Sequence, residues 1–169
     1  MARWSGMDPI VIRRASLSDA PVLAETVCQG FEGYREWAPR GWDPPAPQLH
    51  LVGIRERLER PDAWCELAEA GSEPAGHGAF IGSGDPGLAH LWMLFVREPW
   101  WGTGLAAELL ARAVAAAARD YAVIRLHTPA GQARARAFYE REGWRQEGGA
   151  WWEPSLGLDL VEYRRPLPR

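Results

Sequence analysis

Residues 96–118 change from an apolar strand pattern to a helical pattern within a few positions. The strand pattern ends before Pro99, two tryptophans follow, and Gly102-Thr103-Gly104 then opens an alanine-rich stretch with helical spacing. The first N–H groups of a helix have no intrahelical partner and carry the positive end of the helix dipole. Glycine lets a bulky anion approach such a backbone closely. The sequence therefore predicts a phosphate site built from main-chain amides.

Other nucleotide-binding motifs fit this stretch less well. All 19 basic residues are arginine, so the lysine of a Walker A loop and lysine Schiff-base chemistry are both excluded. Residues 102–107 match the dinucleotide pattern GxGxxA, but that pattern requires an acidic residue about 20 positions further on, after the next strand. The next strand ends in His127-Thr128, and only 65 residues follow Gly104. A tight turn without a ligand is the remaining alternative.

Length and composition indicate one globular domain. The chain has 169 residues, 47% of them hydrophobic, and a net charge of −3, which does not favour nucleic-acid binding. No apolar run reaches the roughly 20 residues of a membrane span, so we expect no membrane association. Cys28 and Cys65 form no metal-ligand cluster, so we predict no metal and expect two small buried residues in a reduced bacterial cytoplasm. We interpret residues 1–8 as a flexible lead, with Met7 as an alternative start, and residues 9–169 as the domain.

The apolar pattern predicts the order β-α-α-β-β-β-α-β-α-β-β, a single mixed α+β domain. Residues 32–47 contain four prolines and three large aromatic residues and are predicted to form a long ordered loop. Strands are predicted at 10–15, 63–70, 75–83, 89–96 and 122–128, with a closing hairpin after residue 144. Helices are predicted at 21–31, at 48–60, from residue 105 onward, and at 131–144.

Two segments resemble the motifs of a known enzyme family. The segment VREPWWGTGLAAELL resembles the acetyl-CoA signature of GCN5-related N-acetyltransferases (GNAT), in which R/Q-x-x-G-x-G/A opens a helix after a strand. Residues 101–106 occupy those six positions, and Trp101 departs from the Arg or Gln of the family. The segment AGQARARAFYEREGW resembles the family motif N-x-x-A-x-x-F/L-Y-x-x-x-G-F, with Gln132 at the Asn position. The resemblance implies an α+β fold with a mixed sheet of about six or seven strands, splayed between the fourth and fifth strands and flanked by about four helices.

The resemblance also implies how acetyl-CoA would be bound as co-substrate. Its pantetheine arm would lie between strands 89–96 and 122–128, paired with main-chain groups of the first. Its pyrophosphate would contact amides of the glycine loop, residues 102–104, and of the helix start. The implied cofactor-binding residues are Leu94, Phe95, Val96, Trp101, Gly102, Thr103, Gly104, Leu105, Ala106, Ala107 and Gln132.

The implied reaction is direct attack of an amine on the thioester, which needs a general acid and a general base. Tyr139 lies at the family position that faces the sulfur and is the candidate acid. His90 is the candidate base, because AHLWMLFV resembles the A-H-L-H stretch of arylalkylamine acetyltransferases, with Trp92 replacing the second histidine. A histidine with an ordinary pKa suits proton transfer near neutral pH.

Other titratable side chains offer alternatives for the base. Glu98 follows the strand that carries His90, and Glu66 lies on an earlier strand that could line the acceptor cleft. His77 and His127 have no partner that the sequence reveals, and we expect both to be structural.

The loop 32–47 lies where this family often builds the wall of the acceptor site. Its aromatic faces, together with the carboxylates of Glu36 and Asp43, suit a cation, so we expect the acceptor to be a primary amine of a small molecule or peptide. The candidate substrate-binding residues are Tyr34, Trp37, Trp42 and Trp92.

Two alternatives from other functional classes stay open at the level of sequence. One is a non-catalytic acyl-CoA-binding or sensing module with the same fold, and the other is a nucleotide-binding or purely structural α+β domain. The tryptophans could also pack in the core or in a dimer interface, because members of this family often form homodimers.

Overall fold

The computed structural model describes residues 8–168, so the predicted flexible lead lies outside the described residues except for Asp8. The predicted order of elements is confirmed. The strands are β1 Ile10–Arg14, β2 Trp64–Ala70, β3 Glu73–Gly82, β4 Leu88–Val96, β5 Val123–Pro129, β6 Arg145–Glu153 and β7 Leu158–Pro166. The helices are α1 Ala20–Glu32, α2 Pro47–Leu58, α3 Leu105–Ala117 and α4 Ala133–Arg141, with short 3-10 turns at Leu17–Asp19, Gly33–Glu36 and Glu98–Trp100.

The strands form one seven-stranded sheet in the order β1-β2-β3-β4-β5-β7-β6. Of its neighbouring pairs, only β4 and β5 are parallel, because α3 carries the chain back across the sheet between them. The mixed sheet and its four helices confirm the predicted fold. No helix within residues 8–168 is long and apolar enough to cross a membrane.

The parallel ladder between β4 and β5 is short. It pairs Leu88 with Val123 and ends at Leu91 and Leu126, after which the two strands separate. The register between β3 and β4 also shifts here, so that Trp92 is an extra residue in β4. We call the divergence of the strands beyond Leu91 and Leu126 the fork. It is the predicted splay between the fourth and fifth strands.

The helices cover the two faces of the sheet unequally. The face under α3 and α4, here called the α3 side, has a core that runs from β3 across β4, β5 and β7. The opposite face, the α1 side, has a core of α1 and α2 residues packed on β2, β3 and β4, and Leu158 is its one fully buried member from the strands beyond β4. On the α1 side, β7 therefore carries the buried Leu158 and Leu160 near the closing turn and the polar side chains of Glu162 and Arg164 further along.

The local sequence explains the helices beside the fork. One face of α3 is apolar and buried, and it includes Leu105, Leu109, Leu110, Ala113 and Ala117. Helix α1 has Pro21 in its first turn, where a missing N–H costs no helical hydrogen bond. Cys65 is buried as expected, whereas Cys28 is only partly buried, and neither forms a disulfide.

One buried histidine makes the fold sensitive to acid. His77 on β3 is fully buried, its ring lies 5.9 Å from that of Phe95, and neither ring nitrogen has a hydrogen-bond partner among residues 8–168. Burial, with a smaller contribution from Arg97, lowers the pKa of His77 to about 3. Below its ordinary pKa the unfolded chain binds a proton that the folded protein excludes, so stability falls as the pH drops from about 6.5 toward 3.

We predict that His77→Leu reduces this acid sensitivity. The substitution removes two unpaired polar nitrogens and a group that titrates only on unfolding, which contributes a slope of at most about 1.4 kcal/mol per pH unit. The free energy of unfolding in urea, measured at pH 7, 6, 5 and 4, should fall less steeply for His77→Leu than for the wild type. Equal slopes for the two proteins would contradict the assignment.

Candidate active site

The glycine loop leaves its backbone accessible. Gly102 and Gly104 have φ values of 72° and 90°, in the left-handed region that favours glycine. A Cβ added at either position would have nothing within 4 Å, so there is free space beside the loop. Gly104 is the N-cap of α3, and the first amides of that helix follow directly. The loop therefore has the open backbone and the helix terminus that an anion site requires.

Trp101 and Arg134 lie together beside this loop. The indole Nε1 of Trp101 donates a hydrogen bond to the carbonyl of Val96 at 2.7 Å, which fixes the ring. The guanidinium carbon of Arg134, from the first turn of α4, lies 4.5 Å from the ring centroid. The position at which the resembled family usually has Arg or Gln is thus an aromatic ring, and the positive charge over that ring belongs to Arg134 of α4.

Beyond the fork, β4 has a free edge. Leu94, Phe95 and Val96 pair with β3 on one side, and β5 has already separated on the other. All three residues are partly buried. Gln132, the N-cap of α4, accepts a hydrogen bond from the Thr128 hydroxyl at 3.3 Å near the end of β5. The opening is therefore bordered by main chain on the β4 side and by the start of α4 on the β5 side.

Tyr139 is buried among aromatic rings. Its ring centroid lies 5.3 Å from that of Phe138, 6.0 Å from that of Trp144 and 6.2 Å from that of Tyr163. Burial, assisted by Tyr34, raises the pKa of Tyr139 above its ordinary value. The phenol therefore keeps its proton at neutral pH, and the same shift makes it a weaker acid than an exposed tyrosine.

His90 directly precedes Leu91, the residue of β4 at which the fork begins, and its side chain points to the α1 side. Burial, with added effects of His127, Arg125 and Arg57, lowers the pKa of His90 to about 3. Its buried Nδ1 has no hydrogen-bond partner among the described residues. The predicted base is thus at the fork, but in surroundings that oppose protonation of its ring.

The two alternative bases lie elsewhere. Glu66 forms an ion pair with Arg112 of α3, which places its carboxylate on the α3 side of the sheet. Glu98 is exposed in the short turn that precedes the glycine loop.

His127 has partners that the sequence did not reveal. It is directly opposite Glu162 in the antiparallel β5–β7 ladder, and its Nε2 lies 2.9 Å from a Glu162 carboxylate oxygen. Its ring centroid is 4.8 Å from that of His90 and 4.9 Å from that of Trp151. The only sequence signal was the alternation that puts Arg125 and His127 on one face of β5, and it gives no register against β7.

The predicted acceptor wall is held against the closing hairpin. Trp42 donates a hydrogen bond from Nε1 to the carbonyl of Leu156 at 2.7 Å. The ring of Trp37 lies against the backbone of Gly131, where an added Cβ would be 3.1 Å away. Tyr34 is buried, and its ring centroid lies 4.8 Å from that of Trp37. These three aromatic residues are therefore largely packing groups of an ordered loop.

Charge at this wall is less negative than the sequence suggested. The carboxylate of Asp43 is bound by Arg35 at 2.9 Å. Arg57 of α2 lies over the ring of Trp92, with its guanidinium carbon 5.0 Å from the centroid. Trp92, the extra residue of β4, therefore presents a ring whose face is already occupied by a cation.

Comparison of sequences assigns the chain to a class of enzymes. The profile described as the Acetyltransferase (GNAT) family matches residues 29–144. Because this match covers more than half of the chain and includes both motifs, the protein belongs to the GNAT family of acetyltransferases, and the resemblance is confirmed. No curated protein sequence matches the chain.

Solved structures share the fold across nearly the whole chain. An acetyltransferase of the GNAT family from Staphylococcus aureus Mu50 is 20% identical, with a TM-score of 0.74, over 95% of this chain and 100% of that chain. The yncA protein of Salmonella typhimurium, solved with its cofactor acetyl-CoA, is 17% identical, with a TM-score of 0.71, over 95% of each chain. The ribosomal-protein-S18-alanine N-acetyltransferase of Escherichia coli is 15% identical, with a TM-score of 0.69, over 95% of this chain and 96% of that chain.

Proposed function

We propose that the protein is an acetyl-CoA-dependent N-acetyltransferase that acts on the primary amine of a small-molecule or peptide acceptor. The observation that carries this proposal is the position of the glycine loop at the end of β4, directly after the free edge that the fork creates. A long ligand with a diphosphate can lie along that edge and end at the helix terminus. The yncA relative, which has this fold and was solved with acetyl-CoA, supports the choice of co-substrate.

Main-chain groups would hold most of the cofactor. Amides of the glycine loop and of the first turn of α3 would bind the diphosphate. Main-chain groups of residues 94–96, apart from the Val96 carbonyl that Trp101 occupies, would pair with the pantetheine amides. The Gln132 side chain borders the same opening. When bound, acetyl-CoA supplies an activated acetyl carbonyl to the acceptor amine.

Arg134 would compensate for the departure at Trp101. Its guanidinium is exposed and stacked on the tryptophan beside the glycine loop, where a phosphate oxygen could accept its N–H groups. The tryptophan then acts as a platform that restricts the arginine, so less side-chain freedom is lost on binding.

Tyr139 would act as the general acid. A phenol that keeps its proton at neutral pH can donate to the leaving sulfur, and its burial favours that state. The sequence-based assignment of His90 as the base stays a prediction, and the low pKa of that ring weighs against it.

The acceptor would enter from the α1 side, beside the wall that the loop 32–47 and the closing hairpin form together through the Trp42–Leu156 hydrogen bond. Tyr34, Trp37 and Trp42 would shape this wall from within, and Trp92 would contact the acceptor near the fork. The exposed guanidinium of Arg57 above Trp92 favours an amine that also carries a carboxylate or another acceptor group over a purely cationic amine.

An acceptor screen tests the proposal directly. The protein is incubated with acetyl-CoA and a panel of arylalkylamines, amino acids, aminoglycosides and peptides with free N-termini, while free thiol is measured. Amine-dependent thiol release with a matching acetylated product supports the enzyme. Thermal stabilisation by coenzyme A without turnover on any amine would favour the non-catalytic acyl-CoA-binding module instead.

We predict that Gly104→Val abolishes coenzyme A binding, because its side chain would occupy the space of the phosphate. Calorimetric titration should show at least a hundredfold loss of affinity. Gly84→Val is the matched control, since Gly84 also has a positive φ, of 94°, and open space around its Cβ, but lies in the turn between β3 and β4. The control should share the backbone strain and keep the affinity. Equal affinities for the two variants would refute the phosphate site.

We predict that Arg134→Gln weakens coenzyme A binding about fivefold, as expected for one exposed ionic contact of about 1 kcal/mol. The loss should shrink at high salt, because exposed charges are screened. Arg119→Gln, which removes the same charge just beyond the far end of α3, serves as the control. If the two variants bind coenzyme A equally well, Arg134 has no role in the site.

We predict that Tyr139→Phe lowers kcat about a hundredfold or more while the affinity for acetyl-CoA stays within twofold, because only the proton donor is removed. Tyr121→Phe, which removes a hydroxyl outside the fork, should retain wild-type turnover. Unchanged kcat for Tyr139→Phe would exclude its role as the acid.

A further inference from the structure

His127 occupies the first position of β5 beyond the last pair of the parallel ladder. Leu126 before it belongs to the core on the α3 side, so His127 points to the α1 side, from which the acceptor would approach. Its side chain is partly exposed, whereas His90 is largely buried. Of the two histidines at the fork, His127 is therefore the one that an acceptor and solvent can reach.

Glu162 fixes the orientation and proton position of the His127 ring. It is directly across the ladder and also accepts a hydrogen bond from Arg164 Nε at 2.5 Å. Although burial alone would raise it, the hydrogen bonds from His127 and Arg164 hold the pKa of Glu162 below its ordinary value. An ionised carboxylate can only accept, so Nε2 of His127 carries the proton and Nδ1 keeps its lone pair.

The neighbouring His90 differs in the way that matters for a base. It has no carboxylate partner within hydrogen-bond distance among the described residues, and its neighbours include two arginines. A cation formed on His90 would be buried and opposed by positive charge, whereas one formed on His127 would be paired with Glu162. The charged and titratable groups that face the His127 ring or its carboxylate are His90, Arg125, Glu153, Glu162 and Arg164, and Arg57 acts on the adjacent His90.

We propose that the His127–Glu162 pair accepts the proton of the acceptor ammonium, while His90 only packs against the His127 ring. This inference rests on the proposed function. Nδ1 of His127 takes one proton from R–NH3⁺, and Glu162 stabilises the imidazolium that results. The free amine then forms the C–N bond as the C–S bond breaks. Tyr139 gives its proton to the leaving sulfur and then takes the excess proton from the acetylated nitrogen. His127 finally returns its proton to water.

The test is the pH dependence of kcat/KM for one amine acceptor found in the screen. In the wild type, kcat/KM should rise with pH along a single acidic limb and level off once the base no longer carries a proton. In His127→Gln, kcat/KM should fall at least a hundredfold at pH 7 and then climb about tenfold per pH unit toward the pKa of the amine, because only free amine reacts. In Glu162→Gln, the acidic limb should move to lower pH, because the imidazolium loses its counter-charge.

Two further variants separate the roles. His90→Gln should keep the acidic limb at its wild-type position, and His50→Gln, a histidine of α2 outside the fork, should keep the whole profile. The proposal would be overturned if the acidic limb of the kcat/KM profile stayed at its wild-type pH in His127→Gln, or if it shifted only in His90→Gln. Either result would leave the acetyltransferase function intact. Should His127→Gln not fold, the Glu162→Gln profile decides: an unmoved limb overturns the pair.

A second readout does not depend on turnover. Histidine ring signals in NMR spectra, assigned with the single variants, should show His127 titrating at the pH of the acidic limb and moving in Glu162→Gln, while His90 stays neutral down to pH 5. Titration of His90 in place of His127 would overturn the proposal. A wild type that acetylates no amine would refute the proposed function as well, and so the two failures are distinguishable.

Discussion

The separation of two neighbouring strands is the constraint on which the rest of this structure depends. Strands β4 and β5 share a ladder of only four residue pairs, from Leu88–Val123 to Leu91–Leu126. Beyond it, N–H and C=O groups on one edge of β4 lack a strand partner, and burying such groups without a hydrogen bond costs free energy. The bulge at Trp92, the glycine loop and the start of α4 all surround this one gap.

Structural features that depend on only a few adjacent residues could be predicted from the sequence. The glycine loop combines a strand end, two glycines and a helix start within ten positions, and its conformation depends on those residues alone. The order of strands and helices could be predicted equally well, because the strand and helix periods of apolar residues are local signals. Both family motifs are equally local, so they identify the fold without information on any tertiary contact.

Features that depend on register or burial could not be predicted in this way. His127 and Glu162 are 35 residues apart and meet only because β5 and β7 pair in one register. The protonation of His90 depends on the chain that covers it, and the same residue in an open strand would titrate normally. Trp42 contacts a carbonyl 114 positions away, so the loop 32–47 showed its composition in the sequence but not the surface against which it packs.

The short ladder also divides the sheet into two unequal parts. One part holds β1 to β4 and the other holds β5 to β7, and the side chains of a common core on the α3 side join them where hydrogen bonds do not. A ligand bound along the fork would connect the two parts, since it would form the hydrogen bonds that a strand between β4 and β5 would otherwise make. The free energy of local opening at the fork would then depend on whether a ligand is bound as well as on the amino-acid sequence.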